Sequence, residues 1–156
     1  MIGIIDYGSG NVQAIATIYK NLNIDFRVIT DLGDLKKVEK LILPGVGAFD
    51  ATMQQLIDSG LKDELNNLVI NKKTPILGIC VGLQVMGFGS DEGDLPGLGW
   101  IPGNVKKFNT NTIKSKPKLP HMGWNTIKDI QNHNLFKGID NEFGFYFVHS
   151  YYFECE

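Results

Sequence analysis

The sequence predicts an α/β protein with a mostly parallel, doubly wound sheet, flanking helices, and antiparallel strands in the C-terminal part. Three observations carry this. From Met1 to Phe88, short apolar runs alternate with stretches of helical periodicity. One run, Thr74-Pro75-Ile76-Leu77-Gly78-Ile79-Cys80, passes straight into a helix start through the pattern Gly78-x-Cys80-x-Gly82. The chain's 156 residues give room for one such domain with a sizeable core. Alternating β and α segments call for parallel pairing with right-handed crossovers.

In order, Met1 to Tyr7 reads as a first buried strand. Gly8-Ser9-Gly10-Asn11 is a turn in which Ser9 or Asn11 can cap the next helix. Val12, Ile15, Ala16, Ile18, Tyr19 and Leu22 recur at helical spacing. A strand, a glycine turn and a helix evoke a dinucleotide fingerprint, but Gly8-x-Gly10 lacks the third glycine, which excludes that reading and favours an irregular surface loop. Asp25 to Thr30 forms a second strand, and Asp31 to Lys40 a short helix or loop. Lys40 to Leu43 is a third strand, stopped by Pro44-Gly45-Val46-Gly47-Ala48-Phe49. Ala51 to Ile70 is helical with a break at Ser59-Gly60. Gly89 to Gly99 reads as a surface loop. Trp100 to Phe108, Lys118 to Ile127 and one or two segments within the aromatic stretch Glu142 to Glu154 read as strands. Lys114, Lys116 and Lys118 belong to a solvated connection.

Composition narrows the function. The chain is 43% apolar and 21% charged with net charge −2, so there is no general basic field for nucleic acid. No apolar run is long enough to span a bilayer, and the N-terminus lacks a signal-peptide pattern. Cys80 and Cys155 are far apart in unlike settings, which suggests a reduced, cytoplasmic protein without cofactor or metal. The chemistry concentrates at Cys80. A cysteine between glycines at a strand-to-helix turn has the form of a nucleophile elbow, with side chains two residues away excluded by crowding. Backbone N–H groups at the helix start favour negative charge on such a sulfur. The plain alternative is a buried cysteine packing as a small hydrophobe. The Pro44–Gly47 turn follows a neighbouring parallel strand and can offer backbone N–H groups as an oxyanion hole.

The elbow, Pro44-Gly45-Val46-Gly47, Leu119-Pro120-His121-Met122-Gly123-Trp124-Asn125 and Phe147-Val148-His149-Ser150-Tyr151 form an ordered set. Together they resemble the class I glutamine amidotransferases, and among these the glutaminase subunits of imidazole glycerol phosphate synthase in histidine biosynthesis. The His121–Asn125 block is the most specific part. The resemblance implies that Cys80 attacks the side-chain amide of L-glutamine, giving a glutamyl thioester and ammonia. It implies oxyanion donors at Val46, Gly47 and Val81, with the turn near Val46 reorienting when a partner binds. It implies a substrate pocket drawn from Gly47, Gln84, His149, Ser150 and Tyr151. Asn11, His121, Trp124 and Tyr146 match positions near the contact with a barrel-shaped cyclase/synthase subunit, which receives the ammonia to make imidazole glycerol phosphate and AICAR.

In this family a histidine and a glutamate in a downstream His-Pro-Glu segment activate the nucleophile, and the chain reaches Glu156 without one. His121 and His149 read as structural or interface groups and His133 as a solvent-exposed loop residue. The expectation is one domain over residues 1–156 that is cut short at its C-terminus. By itself the chain should be nearly inactive, because losing a general base costs about 10²–10⁴-fold in rate. It should also be poorly soluble, with an unpaired edge near Phe147. Two other functions fit the same motifs: a paralogue feeding ammonia to surface-sugar biosynthesis, and a non-catalytic remnant of the fold.

Overall fold

The computed structural model describes residues 1–114, 118–128 and 134–156, so Lys116 and His133 lie outside the described residues. They form two compact units, Met1–Lys106 with Phe153–Glu156, and Lys107–Tyr152.

The first unit is built on four strands, β1 (Ile2–Ile5), β2 (Phe26–Ile29), β3 (Lys40–Gly45) and β4 (Ile76–Cys80), in the order β2-β1-β3-β4. All three pairings are parallel: Ile2 sits opposite Phe26 and Lys40, and Leu41 opposite Ile76. Successive side chains on a strand point to opposite faces, and the core divides accordingly. Ile4 and Ile42 pack with Val12 and Ala16 of helix α1 (Val12–Asn21). Ile5, Leu41 and Leu43 pack on the other side with Phe49, Met53 and Leu56 of α3 (Phe49–Asp58) and Leu65 of α4 (Lys62–Asn66). A strand covered on both faces is predominantly apolar rather than alternating, as in Ile4-Ile5 of β1 and Leu41-Ile42-Leu43 of β3. A short α2 (Leu32–Leu35) is capped by Asp31, whose carboxylate accepts from Gly33 and Asp34 N–H.

Several sequence expectations need adjusting. Strand β3 does not stop at Pro44 but runs to Gly45. Leu41 N–H donates to Pro75 O on the β4 side, so alternate nitrogens, Pro44's among them, face β1, whose pairing with β3 has ended at Ile42. A missing N–H there costs no ladder bond. Asn11 caps α1 by accepting from Ala14 N–H at 3.0 Å, but Ile18 and Leu22, placed on the apolar face by periodicity, are 57% and 61% exposed. The third helix begins at Phe49, two residues earlier than periodicity suggests, because the Glu92 carboxylate accepts from Phe49 N–H. The Gly89–Gly99 loop is likewise pinned: Asp50 accepts from Asp94 and Leu95 N–H, while Leu95 and Leu98 pack against the core. The helical stretch breaks at Gly60, which has φ +72°, then resumes as α4 and ends in a π turn at Asn67–Asn71.

Strand β5 (Gly103–Lys107) pairs with β8 (Tyr151–Cys155), and most of both strands belongs to the first unit. In the second unit β6 (His121–Asn125) pairs antiparallel with β7 (Phe145–His149), with Met122 opposite Val148 and Trp124 opposite Tyr146. Among the described residues no helix is long and apolar enough to cross a membrane, and no group of three His, Cys, Asp or Glu side chains could hold a metal.

Candidate active site

Cys80 closes β4 and immediately precedes the one-turn helix α5 (Val81–Gln84). Its backbone has φ 56° and ψ −123°, a left-handed conformation that costs a non-glycine residue about 1–3 kcal/mol. This is elbow geometry, and the side chain it carries is exposed rather than packed in the core. The buried-cysteine alternative is therefore excluded. The flanking glycines are needed for a different reason than crowding of the sulfur. A Cβ at Gly78 would lie 2.5 Å from Leu83 Cα in α5, and one at Gly82 would lie 1.9 Å from the Leu43 carbonyl oxygen on β3. They let the helix fold back onto its own strand and press against the neighbouring one. Because α5 is a single turn, what it brings to Cys80 is the N–H of its first residues, which have no intrahelical acceptor, more than a macrodipole. Val81 is buried and Gln84 half-buried at the helix end.

The β3 turn arrives beside the sulfur by register, since Gly45 is the residue opposite Cys80. Val46, Gly47 and Ala48 then run exposed into α3, with Gly47 at φ +95°. The two proposed donors in this turn differ. Val46 N–H donates to Ser9 Oγ at 3.0 Å, and the same hydroxyl donates to Val46 O at 3.1 Å. Gly47 N–H has no partner among the described residues. Ser9 is only 4% exposed, so the Gly8–Gly10 turn is not a free surface loop. Tyr7, next to it, donates its hydroxyl to the Pro44 carbonyl. Burial pushes the Tyr7 hydroxyl up to about 12, with the Ser9 hydroxyl offsetting part of the rise.

The remaining candidate residues, Asn11 apart, lie in the second unit. His149 Nδ1 is 2.8 Å from Tyr151 O, and a carbonyl only accepts, so Nδ1 carries the proton. His149 Nε2 in turn lies 2.9 Å from His121 Nδ1, one of the two ring nitrogens donating to the other. Ser150 contributes its carbonyl to Phe108 N–H at 3.1 Å. Both rings border a cavity of about 940 Å³ that is otherwise mainly apolar, with Phe108, Ile113, Leu119, Met122 and Phe147 in its wall. Residues of β6 and β7 that are directly opposite share a face. One face of this pair exposes Met122 (60%), Trp124 (72%), Tyr146 (54%) and Val148 (58%), with the Trp124 and Tyr146 rings edge to face at 5.8 Å. Four large apolar side chains are thus exposed together on one face of the pair. Asn11 is exposed as well, in the first unit, where its side chain is occupied in capping α1.

Comparison with known proteins gives the family. The family model "Glutamine amidotransferase class-I" matches residues 3–155. The chain belongs to the class I glutamine amidotransferases. Within this family it is 48% identical over its whole length to "Imidazole glycerol phosphate synthase subunit HisH" of Leptospira borgpetersenii, covering 76% of that protein. It is 49% identical, with the same coverage, to the subunit of that name from Bdellovibrio bacteriovorus. A solved structure titled "Crystal structure of glutamine amidotransferase" shares the fold at a TM-score of 0.58 and 20% identity, over 68% of this chain and 56% of that one. As a glutamine amidotransferase of the HisH kind, the chain has the fold class that its alternating segments predict. The contact between Ser9 and Val46 was not legible in the sequence. A serine between two glycines after a first strand looks like any turn until β1 and β3 are known to be neighbours.

Proposed function

We propose that this chain is the glutaminase subunit of an imidazole glycerol phosphate synthase, with Cys80 as its nucleophile. The Cys80 sulfur attacks the side-chain amide carbon of L-glutamine. The C–N bond then breaks with release of ammonia, and water hydrolyses the resulting thioester to glutamate. Val81 and the Val46–Gly47 turn supply N–H groups to the oxyanion, and Gln84 and Gly47 receive the substrate. The observation that carries this reading is the exposed, left-handed Cys80 at a strand-to-helix corner, opposite Gly45 in register. His121 and His149 are not given the proton-transfer role, because their rings are bonded to each other and His149 is also held by the Tyr151 carbonyl.

Ammonia is reactive and lost readily to water, so such a subunit works against an acceptor enzyme. The exposed Met122–Trp124–Tyr146–Val148 face supports a docking role toward the barrel-shaped cyclase/synthase subunit. His121, on the opposite face of β6, and Asn11, in the first unit, are separate candidates for contact with it. Two unpaired thiols, Cys80 and Cys155, suit a reducing cytoplasm. The test is glutamate release by the full gene product, supplied with glutamine and the synthase partner. Cys80→Ala should abolish it, and undiminished release would refute the reading.

A further inference from the structure

We propose that Asp50 is a positioning residue of the glutaminase site. Its carboxylate braces the start of α3, and with it the far end of the Val46–Gly47 turn, against the Gly89–Gly99 loop that follows the Cys80 helix. The inference rests on the reading of Cys80 as nucleophile and of the Val46–Gly47 turn as its oxyanion hole.

The turn is exposed from Val46 to Ala48, so the aim of its N–H groups depends on what holds its two ends. At the first end Gly45 is fixed opposite Cys80 by the β3–β4 register. At the second, Phe49 is fully buried and opens α3. Local capping fails there, because Ala48 at the N-cap has no side-chain acceptor. Glu92 supplies one from the loop, accepting from Phe49 N–H at 3.0 Å. Asp50, the next residue of α3, returns the contact: it accepts from Asp94 N–H at 2.9 Å and from Leu95 N–H at 3.0 Å. Each segment satisfies backbone donors of the other, as a capping box does within one helix, and both acceptors are carboxylates. The approach requires glycine at position 93, where a Cβ would lie 2.0 Å from Asp50 Oδ1.

The loop is tied equally firmly to the nucleophile's side. Leu98 N–H donates at 2.8 Å to the carbonyl of Val85, the C-cap of α5, and Gly97 and Gly99 N–H donate to Phe88 O and Gly87 O. The Cys80 helix, the loop and α3 therefore form a closed circuit in which Asp50 is a link. Asp50 does not reach the reacting atoms. It holds the spacing between the sulfur and the N–H groups of the turn, where an error of about 1 Å costs on the order of 10²-fold in rate.

The test uses the full gene product with its synthase partner at saturation. Asp50→Asn turns an amide N–H2 toward one of the two donors, and Gly93→Ala pushes the loop away while leaving Asp50 in place. Each should lower kcat for glutamine by about 10-fold or more, with KM within about 3-fold. Two probes of Cys80 separate placement from a general loss of structure. Iodoacetamide is attacked by the sulfur with loss of iodide and needs no oxyanion hole, so its rate at Cys80 should stay within about 2-fold. Glutamate γ-semialdehyde adds the sulfur to its carbonyl carbon, with its oxygen where the oxyanion forms, and its affinity should fall by about 10-fold or more. A loss carried by KM alone, equal losses with both probes, or parental behaviour of both variants would overturn the brace. Semialdehyde affinity that survives Cys80→Ala would instead sink the reading beneath it. If neither variant folds, hydrogen exchange in the unmodified protein decides. Bound semialdehyde should slow exchange of the Asp94 and Leu95 amides by about 10-fold, and unchanged exchange would overturn the brace.

Discussion

Replacing Cys80 by glycine should stabilise the protein relative to replacing it by alanine, against the usual order of the two residues. Both variants lack the thiol, so their difference isolates the backbone. At φ 56° and ψ −123° an alanine keeps the Cβ that makes the corner costly, about 1–3 kcal/mol. Glycine removes that cost but gains unfolded-state freedom worth about 0.4–1 kcal/mol. The net is about 0.5–2 kcal/mol in favour of glycine, a Tm higher by several degrees for a chain of this size. Urea unfolding of the two variants, with equal slopes, gives the difference directly. Ala51→Gly in α3 provides the opposite control: it is exposed and helical, and there glycine should cost about 1 kcal/mol. If Cys80→Gly proves no more stable than Cys80→Ala, the corner is not strained and the elbow argument fails.

Other expectations follow from single contacts. Gly82→Ala drives a methyl onto the Leu43 carbonyl oxygen and should cost about 3 kcal/mol or more, read as a collapse of the soluble fraction or of the unfolding midpoint. Tyr7→Phe removes the bond to the Pro44 carbonyl and should cost about 1–3 kcal/mol at neutral pH. Because the Tyr7 hydroxyl is raised from 10.0 to about 12 in the folded chain, the unfolded chain ionises first. Its contribution is complete below pH 10 and is lost as pH rises toward 12, by on the order of 3 kcal/mol. Tyr7→Phe should lack that alkaline decline, and a parallel decline in both proteins would contradict it. Trp124→Ala and Tyr146→Ala should each weaken binding of the synthase partner by about 2 kcal/mol, near 30-fold in Kd by calorimetry. The unfolding midpoint of the free chain should hardly move, since both side chains lie in water.

The alternation of strands and helices was legible because β1 and β3 are buried on both faces and so read as short Ile/Leu-rich runs between helical periods. The elbow was legible because only glycine fits at Gly78 and Gly82. The details that set the site were not. Pro44 looks like a strand breaker until its nitrogen is found facing the side where pairing has ended. Gly89 to Gly99 looks like a solvent loop because its anchors, Asp50 and Glu92, act through backbone N–H groups that carry no sequence signature. Ile18 and Leu22 share a helical period with the core face of α1, yet they stay exposed: periodicity reports a direction around the helix, not what lies opposite. The His121–His149 contact depends on the cross-strand register of β6 and β7, which two separated aromatic-rich stretches cannot reveal.

The proposed chemistry requires a covalent bond between the glutamyl group and one sulfur, that of Cys80. The full gene product, mixed with glutamine and its partner, quenched in acid within a turnover and digested, should yield a Cys80 peptide heavier by one glutamyl group. That adduct should vanish on treatment with hydroxylamine. Steady glutamate production with Cys80 unmodified at every time, or with the glutamyl group on Cys155, would contradict it.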